Sequence, residues 1–133
     1  TAAPDESKRI LIVEDYEGNV VILSYILDQM GLEFDVAQNG VEALQKWSSD
    51  NYGLILMDIQ MPQMDGFTAT GKIRETEKDK QLIETPIIGM TAHALIGDKQ
   101  KCLDAGMNAY VPKPINENDL REEIRKLLNI SEA

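Results

Sequence analysis

Apolar residues in this chain come in short unbroken runs. Ile10–Val13, Leu54–Met57 and Ile87–Met90 are continuous, the pattern of strands buried on both faces, since a half-exposed strand would alternate. Phe34–Ala37, interrupted by Asp35, is a further short strand, and Ala109–Val111 is another short apolar run. The segments between them have helical period. Leu23, Ile26, Leu27 and Met30 fall at i, i+3, i+4 and i+7 within Asn19–Met30 and predict an amphipathic helix that Gly31 ends in the C-cap position. After the Asn39-Gly40 turn, Val41, Leu44 and Trp47 mark a short helix closing near Ser48-Ser49. Phe67–Arg74 predicts a helix capped by Asp65, and the charge run Glu75–Gln81 is expected to cover a helix end and an exposed loop. Ala94–Ala105 predicts a helix with Leu95, Cys102 and Leu103 facing inward and Gly106 closing it. Leu120, Ile124, Leu127 and Leu128 mark the last helix, with Asn116 or Asn118 as its cap.

Strands alternating five times with helices imply one α/β sandwich, a parallel sheet with helices on both faces. Right-handed crossovers place all the strand ends on one edge. Those ends carry the chemistry: Glu14-Asp15 after the first strand, Asp58 after the third, Thr91 after the fourth and Lys113 after the fifth. An ionised carboxylate is costly to bury, so Asp58 is expected where the chain leaves the sheet and meets solvent. Ligands bind at the carboxyl ends of open parallel sheets. An aspartate in that position serves as a metal ligand or as a nucleophile.

Composition narrows the function. The 133 residues suit one domain, with residues 1–7 as a polar, disordered leader or linker end and residues 8–130 as the folded unit. A net charge of −10 argues against a nucleic-acid surface, which needs a basic patch. No apolar run approaches the roughly 20 residues that span a bilayer, and no signal peptide is visible. The lone Cys102 suits a reducing cytoplasm, and the chain, opening on Thr1, reads as a piece of a larger protein. Clustered carboxylates repel one another, a strain that a divalent cation relieves. Oxygen ligands with open water positions suit Mg²⁺, with Mn²⁺ as the substitute. Thr91 and Lys113 offer a hydroxyl and a cation to a phosphoryl group in transfer, and an aspartate can itself attack phosphorus. P-loop, G-x-G-x-x-G and G-x-S-x-G motifs are all missing, and one histidine cannot build a multi-histidine zinc site.

Together Ile10–Asp15, Met57–Pro62 with Asp65-Gly66, Met90-Thr91-Ala92 and Lys113-Pro114 resemble, in order, the blocks of response-regulator receiver domains of two-component signalling. The resemblance runs along nearly the whole chain and implies a doubly wound, flavodoxin-like (βα)5 sandwich of strand order 2-1-3-4-5. It implies Asp58 as the phosphorylated residue, with Asp15, Asp58 and the carbonyl of Gln60 as Mg²⁺ ligands. Glu14 would act at the metal through water or a hydrogen bond. Thr91, Ala92 and Lys113 would bind the phosphoryl oxygens, Thr91 and Tyr110 would form a conformational switch, and Lys113-Pro114 would be a cis peptide. Gln60 and His93 would flank the path of hydrolytic water and tune the phosphate's lifetime. Such a domain is no conventional enzyme; it catalyses its own phosphorylation and dephosphorylation. Thr91–Ala94 and Cys102–Asn108 are similar to receivers of hybrid sensor histidine kinases, which implies a histidine kinase or a histidine-containing phosphotransfer domain as partner.

Other functions fit less well. A haloacid-dehalogenase-type phosphatase with Asp58 as nucleophile would carry a second aspartate two residues on, where Gln60 stands. A flavin carrier needs a hydroxyl-rich phosphate loop, and Glu14-Asp15-Tyr16-Glu17 would repel phosphate. A degenerate receiver acting only as a binding module would lack some site position, and every one is filled.

Overall fold

The computed structural model describes residues 8–61, 63–92 and 96–130. Five strands, β1 (Ile10–Val13), β2 (Phe34–Ala37), β3 (Leu54–Asp58), β4 (Ile87–Thr91) and β5 (Ala109–Pro112), alternate with five helices. These are α1 (Glu17–Gln29), α2 (Gly40–Ser49), α3 (Gly66–Lys80), α4 (Ile96–Ala105) and α5 (Glu117–Leu128). The strands form one parallel sheet in the order β2-β1-β3-β4-β5. Both faces of the central strands are buried, as the unbroken apolar runs require. Ile10, Ile12, Leu54, Leu56, Ile88 and Met90 pack under α1 and α5, through Leu23, Ile26, Leu27, Leu120 and Ile124. Leu11, Val13, Ile55, Met57 and Ile87 face the other way, with Ala43 of α2, Ala69 and Ile73 of α3, and Cys102 of α4. Each fully buried Leu or Ile contributes about 1.5–3 kcal/mol, so these two layers fix the sheet and with it the positions of the strand ends.

The helix ends follow local chemistry. Asn39, Asp65 and Asn116 each accept a backbone N–H three residues on, at 2.8, 2.8 and 3.0 Å. Gly31, at φ 73°, ends α1: its N–H donates to the Asp28 carbonyl and that of Leu32 to Leu27, so the last carbonyls are satisfied. Asn116, not Asn118, is the cap of α5.

Several expectations fail at residue level. The charge run Glu75–Gln81 does hold a helix end, but more of it is helix than expected and not all of it is solvated: α3 continues to Lys80, and Glu77 within it is buried, its carboxylate 2.8 Å from the Arg74 guanidinium. The Glu77 carboxylate also accepts the Thr85 N–H at 2.7 Å, while Arg74 reaches the carbonyls of Thr85 and Gly106. Of the residues expected inward on the fourth helix, Cys102 is buried but Leu103 is exposed; on α2, Val41 is exposed and Ala43 is buried against the sheet. Leu95 and the first residues of the predicted fourth helix lie outside the described residues, as does the leader 1–7. Among the described residues no helix is long and apolar enough to cross a membrane.

Candidate functional site

The parallel register brings the predicted residues to one edge. Val13 pairs with Met57, Asp58 with Met90 and Thr91 with Pro112, so the residues that follow these pairs gather above the C-terminal ends of β1, β3, β4 and β5. Backbone bonds hold them there: Glu14 N–H to Ala37, Ile59 N–H to Met90 and Lys113 N–H to Thr91. Gly66 brings the loop after β3 back against the strand, its N–H 2.9 Å from the Ile59 carbonyl. A Cβ at Gly66 would run into the backbone carbonyl oxygen of Asp58, so only glycine permits that return.

Glu14, Asp15 and Asp58 present carboxylate oxygens that all lie within 4.8 Å of one another. Asp58 is 3% exposed, contrary to the expectation that it meets solvent. Lys113 explains how it can be buried: its Nζ donates to Asp58 Oδ1 at 2.9 Å and to Glu14 Oε2 at 3.2 Å. Glu14 is 1% exposed and also accepts from Asn19 Nδ2 at 2.8 Å. Asp15 is exposed at the rim. Burial pushes the Asp58 carboxyl up to about 6; Lys113 opposes the rise and Glu14 adds to it. Burial pulls the Lys113 ammonium down, but Asp58 and Glu14 more than offset that and leave it raised.

Thr91 is buried at the end of β4, Ala92 is exposed just beyond it, and Tyr110 is half-buried on β5 beside the second core layer. Gln60 is exposed, its N–H 3.4 Å from Asp58 Oδ1. The Lys113-Pro114 peptide is cis. His93 lies outside the described residues. Asn19 is the site residue that the sequence reading passed over. It stands five positions after Glu14, one turn into α1, and that spacing was the available signal.

One ammonium cannot balance three clustered carboxylates. The surplus negative charge and the all-oxygen donor set fit a hard divalent cation. Such a site can hold a metal beside a carboxylate that is close to a fixed cation, the combination suited to phosphoryl chemistry.

Comparison with known proteins agrees with this geometry. Residues 10–125 match the family described as the response regulator receiver domain. The chain is 48% identical over 135 residues to hybrid signal transduction histidine kinase B of Dictyostelium discoideum, covering 94% of this chain and 7% of that protein. It is 36% identical over 118 residues to the sensor protein GacS of Pseudomonas syringae pv. syringae, covering 89% of this chain and 13% of that one. The chain therefore spans a small part of these relatives. Among solved structures it is similar to the receiver domain of the sensor histidine kinase PA1611 from Pseudomonas aeruginosa PAO1, which has a magnesium ion coordinated in its active-site cleft. That likeness has a TM-score of 0.81 and 34% identity, covering 92% of this chain and 98% of that one. It is also similar to the receiver domain of Ssk1 from Saccharomyces cerevisiae, co-crystallised with the histidine phosphotransfer protein Ypd1. Here the TM-score is 0.86 at 33% identity, covering 91% of this chain and 88% of that one.

Proposed function

The chain belongs to the response regulator receiver domain family, and on that premise we propose that it accepts a phosphoryl group on Asp58 from a phosphohistidine donor in a phosphorelay. The observation that carries the reading is the buried Asp58 carboxylate held 2.9 Å from Lys113 Nζ within the acidic cluster. An Asp58 oxygen attacks phosphorus, the P–N bond of the phosphohistidine breaks, and its electron pair returns to the imidazole, which takes up a proton. The product is an acyl phosphate on Asp58. Lys113 and the Thr91 hydroxyl take the phosphoryl oxygens, with the Ala92 N–H beside them. Asp15, Asp58 and the Gln60 carbonyl would hold Mg²⁺, with Glu14 acting through water. The ion would neutralise charge on the phosphoryl oxygens and relieve the repulsion among the carboxylates.

Phosphate on Asp58 would draw Thr91 toward it and free space for Tyr110, a shift between two packings of the β4–β5 face. A protein donor is supported by α1, whose exposed Val21, Ile22 and Tyr25, with Tyr16 ahead of them, form an apolar strip next to the site. The relatives favour a receiver within a hybrid histidine kinase, with residues 8–130 as the unit and a histidine phosphotransfer domain or kinase as partner. Cys102, the one cysteine of the sequence, is buried and in no disulfide, which supports a cytoplasmic setting.

Acetyl phosphate or a phosphohistidine protein, with Mg²⁺ present, should label the parent protein. Asp58→Asn keeps the shape and removes the attacking charge. Label persisting in the Asp58→Asn protein at the parent rate would refute the assignment, as would labelling that survives chelation of the metal.

A further inference from the structure

Two donors hold the buried Glu14 carboxylate. Asn19 Nδ2 lies 2.8 Å from Oε1, and Lys113 Nζ lies 3.4 Å from Oε1 and 3.2 Å from Oε2. Lys113 is shared, since it also donates to Asp58 at 2.9 Å. When a phosphoryl group arrives on Asp58 and Lys113 turns to its oxygens, Glu14 loses part of its compensation. An ionised carboxylate that is 1% exposed is costly to leave short of donors. Asn19 does not have to move. It is anchored in the first turn of α1, where its own N–H donates to the Tyr16 carbonyl at 3.0 Å, and its amide donates to Glu14 Oε1 at 2.8 Å, the shortest of the contacts to that carboxylate.

We propose that Asn19 is a positioning residue of the phosphoacceptor site. Its amide fixes the Glu14 carboxylate beside the metal-binding acids, and it keeps that carboxylate hydrogen-bonded when Lys113 is drawn onto the phosphoryl group. Asn19 thus acts through Glu14 and favours both metal binding and the phosphorylated state. The role is electrostatic as well as steric: a neutral amide donor stabilises Glu14 without adding a cation that would compete with Mg²⁺. The inference rests on the phosphoacceptor reading, because Lys113 leaves Glu14 only if Asp58 receives a phosphoryl group.

The test compares the parent, Asn19→Ala, Glu14→Gln and the double variant in two measurements. One is the Mg²⁺ concentration that half-saturates the thermal stabilisation of the protein with no phosphodonor present. The other is the fraction of Asp58 phosphorylated at steady state with acetyl phosphate. Asn19→Ala is expected to raise the first and lower the second by about three- to tenfold, below the roughly 10–100-fold that supporting partners of direct metal ligands contribute, because Glu14 acts on the metal through water. In the Glu14→Gln background the same change should fall below about twofold, the non-additivity expected of residues acting in one chain of contacts. If Asn19 served only to hold α1, its replacement would lower the melting temperature equally at every Mg²⁺ concentration. It would also add undiminished to Glu14→Gln, and that result overturns the proposal. Should Asn19→Ala fail to fold, Asn19→Leu keeps the volume and favours the helix while removing the donor, and the same outcomes decide. A parent that labels normally while Asn19→Ala matches it in both measurements refutes this inference alone. A parent that never labels on Asp58 overturns the underlying reading and this inference with it.

Discussion

In the metal-free protein Asp58 should cost stability, and Asp58→Asn should recover it. The fold raises this carboxyl from 3.8 to about 6, with burial the main cause and Glu14 adding to it. A group whose folded pKa lies above its unfolded value binds its proton more tightly when folded. Its contribution is therefore fully present below about pH 4, is lost as pH rises to about 6, and stays lost above that. A shift of about 2 units at about 1.4 kcal/mol each puts the loss at roughly 3 kcal/mol. The side chain is only 4% exposed, so solvent screens little of this. Urea unfolding with a chelator present, followed by Trp47 fluorescence, measures stability between pH 4 and 8. The parent should lose roughly 3 kcal/mol relative to the Asp58→Asn protein across that window, and added Mg²⁺ should close the gap at neutral pH. Asp35, which Arg9 holds down at about 2, contributes stability that is lost below pH 4, and it does so equally in both proteins. Parallel pH profiles for the two proteins would show that Asp58 is not strained by its surroundings, and the metal-relief reasoning would lose its basis.

Three further outcomes are expected. Gln60→Ala should speed loss of phosphate from Asp58 while leaving transfer from a donor intact, because the exposed Gln60 stands beside Asp58 and its amide is a poor base. A time course after donor removal checks this, and a change below roughly twofold, about 0.4 kcal/mol of barrier, would remove Gln60 from the path. Gly66→Ala should destabilise the protein by about 1–3 kcal/mol, since the new methyl meets the Asp58 carbonyl, and should also slow labelling at saturating Mg²⁺; thermal melts and labelling rates are the readouts. Glu77→Gln should lower the urea midpoint by an amount equivalent to about 3 kcal/mol or more, because the mostly buried Arg74 guanidinium loses its charge partner. An unchanged midpoint would show that the pair is not coupled.

Much of the fold was legible in the sequence because its signals are local. Unbroken apolar runs of four residues ending on Glu14, Asp58 and Thr91 are too short for buried helices and fit strands buried on both faces with polar ends. Asn39, Asp65 and Asn116 cap helices by reaching backbone groups three residues away, an interaction set within a single turn. Alternation of strands and helices, with the handedness of crossovers, then places the strand ends on one edge, so the site's members could be named before their contacts were known. The strand order itself came from the family resemblance, and the sheet agrees with it.

Tertiary structure decided the rest, because burial and charge pairing depend on partners far along the chain. Asp58 was expected in solvent. It is buried because Lys113, 55 positions later, supplies the compensating cation. Glu77 looks like one acid in a solvated charge run, yet Arg74 and the Thr85 N–H draw it inside and extend α3 through that run to Lys80. Leu103 has the hydrophobicity of a core residue but faces out, since the neighbouring Cys102 is the residue that α4 turns to the core at this level. Asn19 carries no motif of its own. Its place in the site appears only when α1 folds back over the end of β1 and sets its amide 2.8 Å from Glu14. Local periodicity fixes which residues are strand, helix or cap, whereas the free energy of a buried charge is settled by neighbours that only the folded chain brings together.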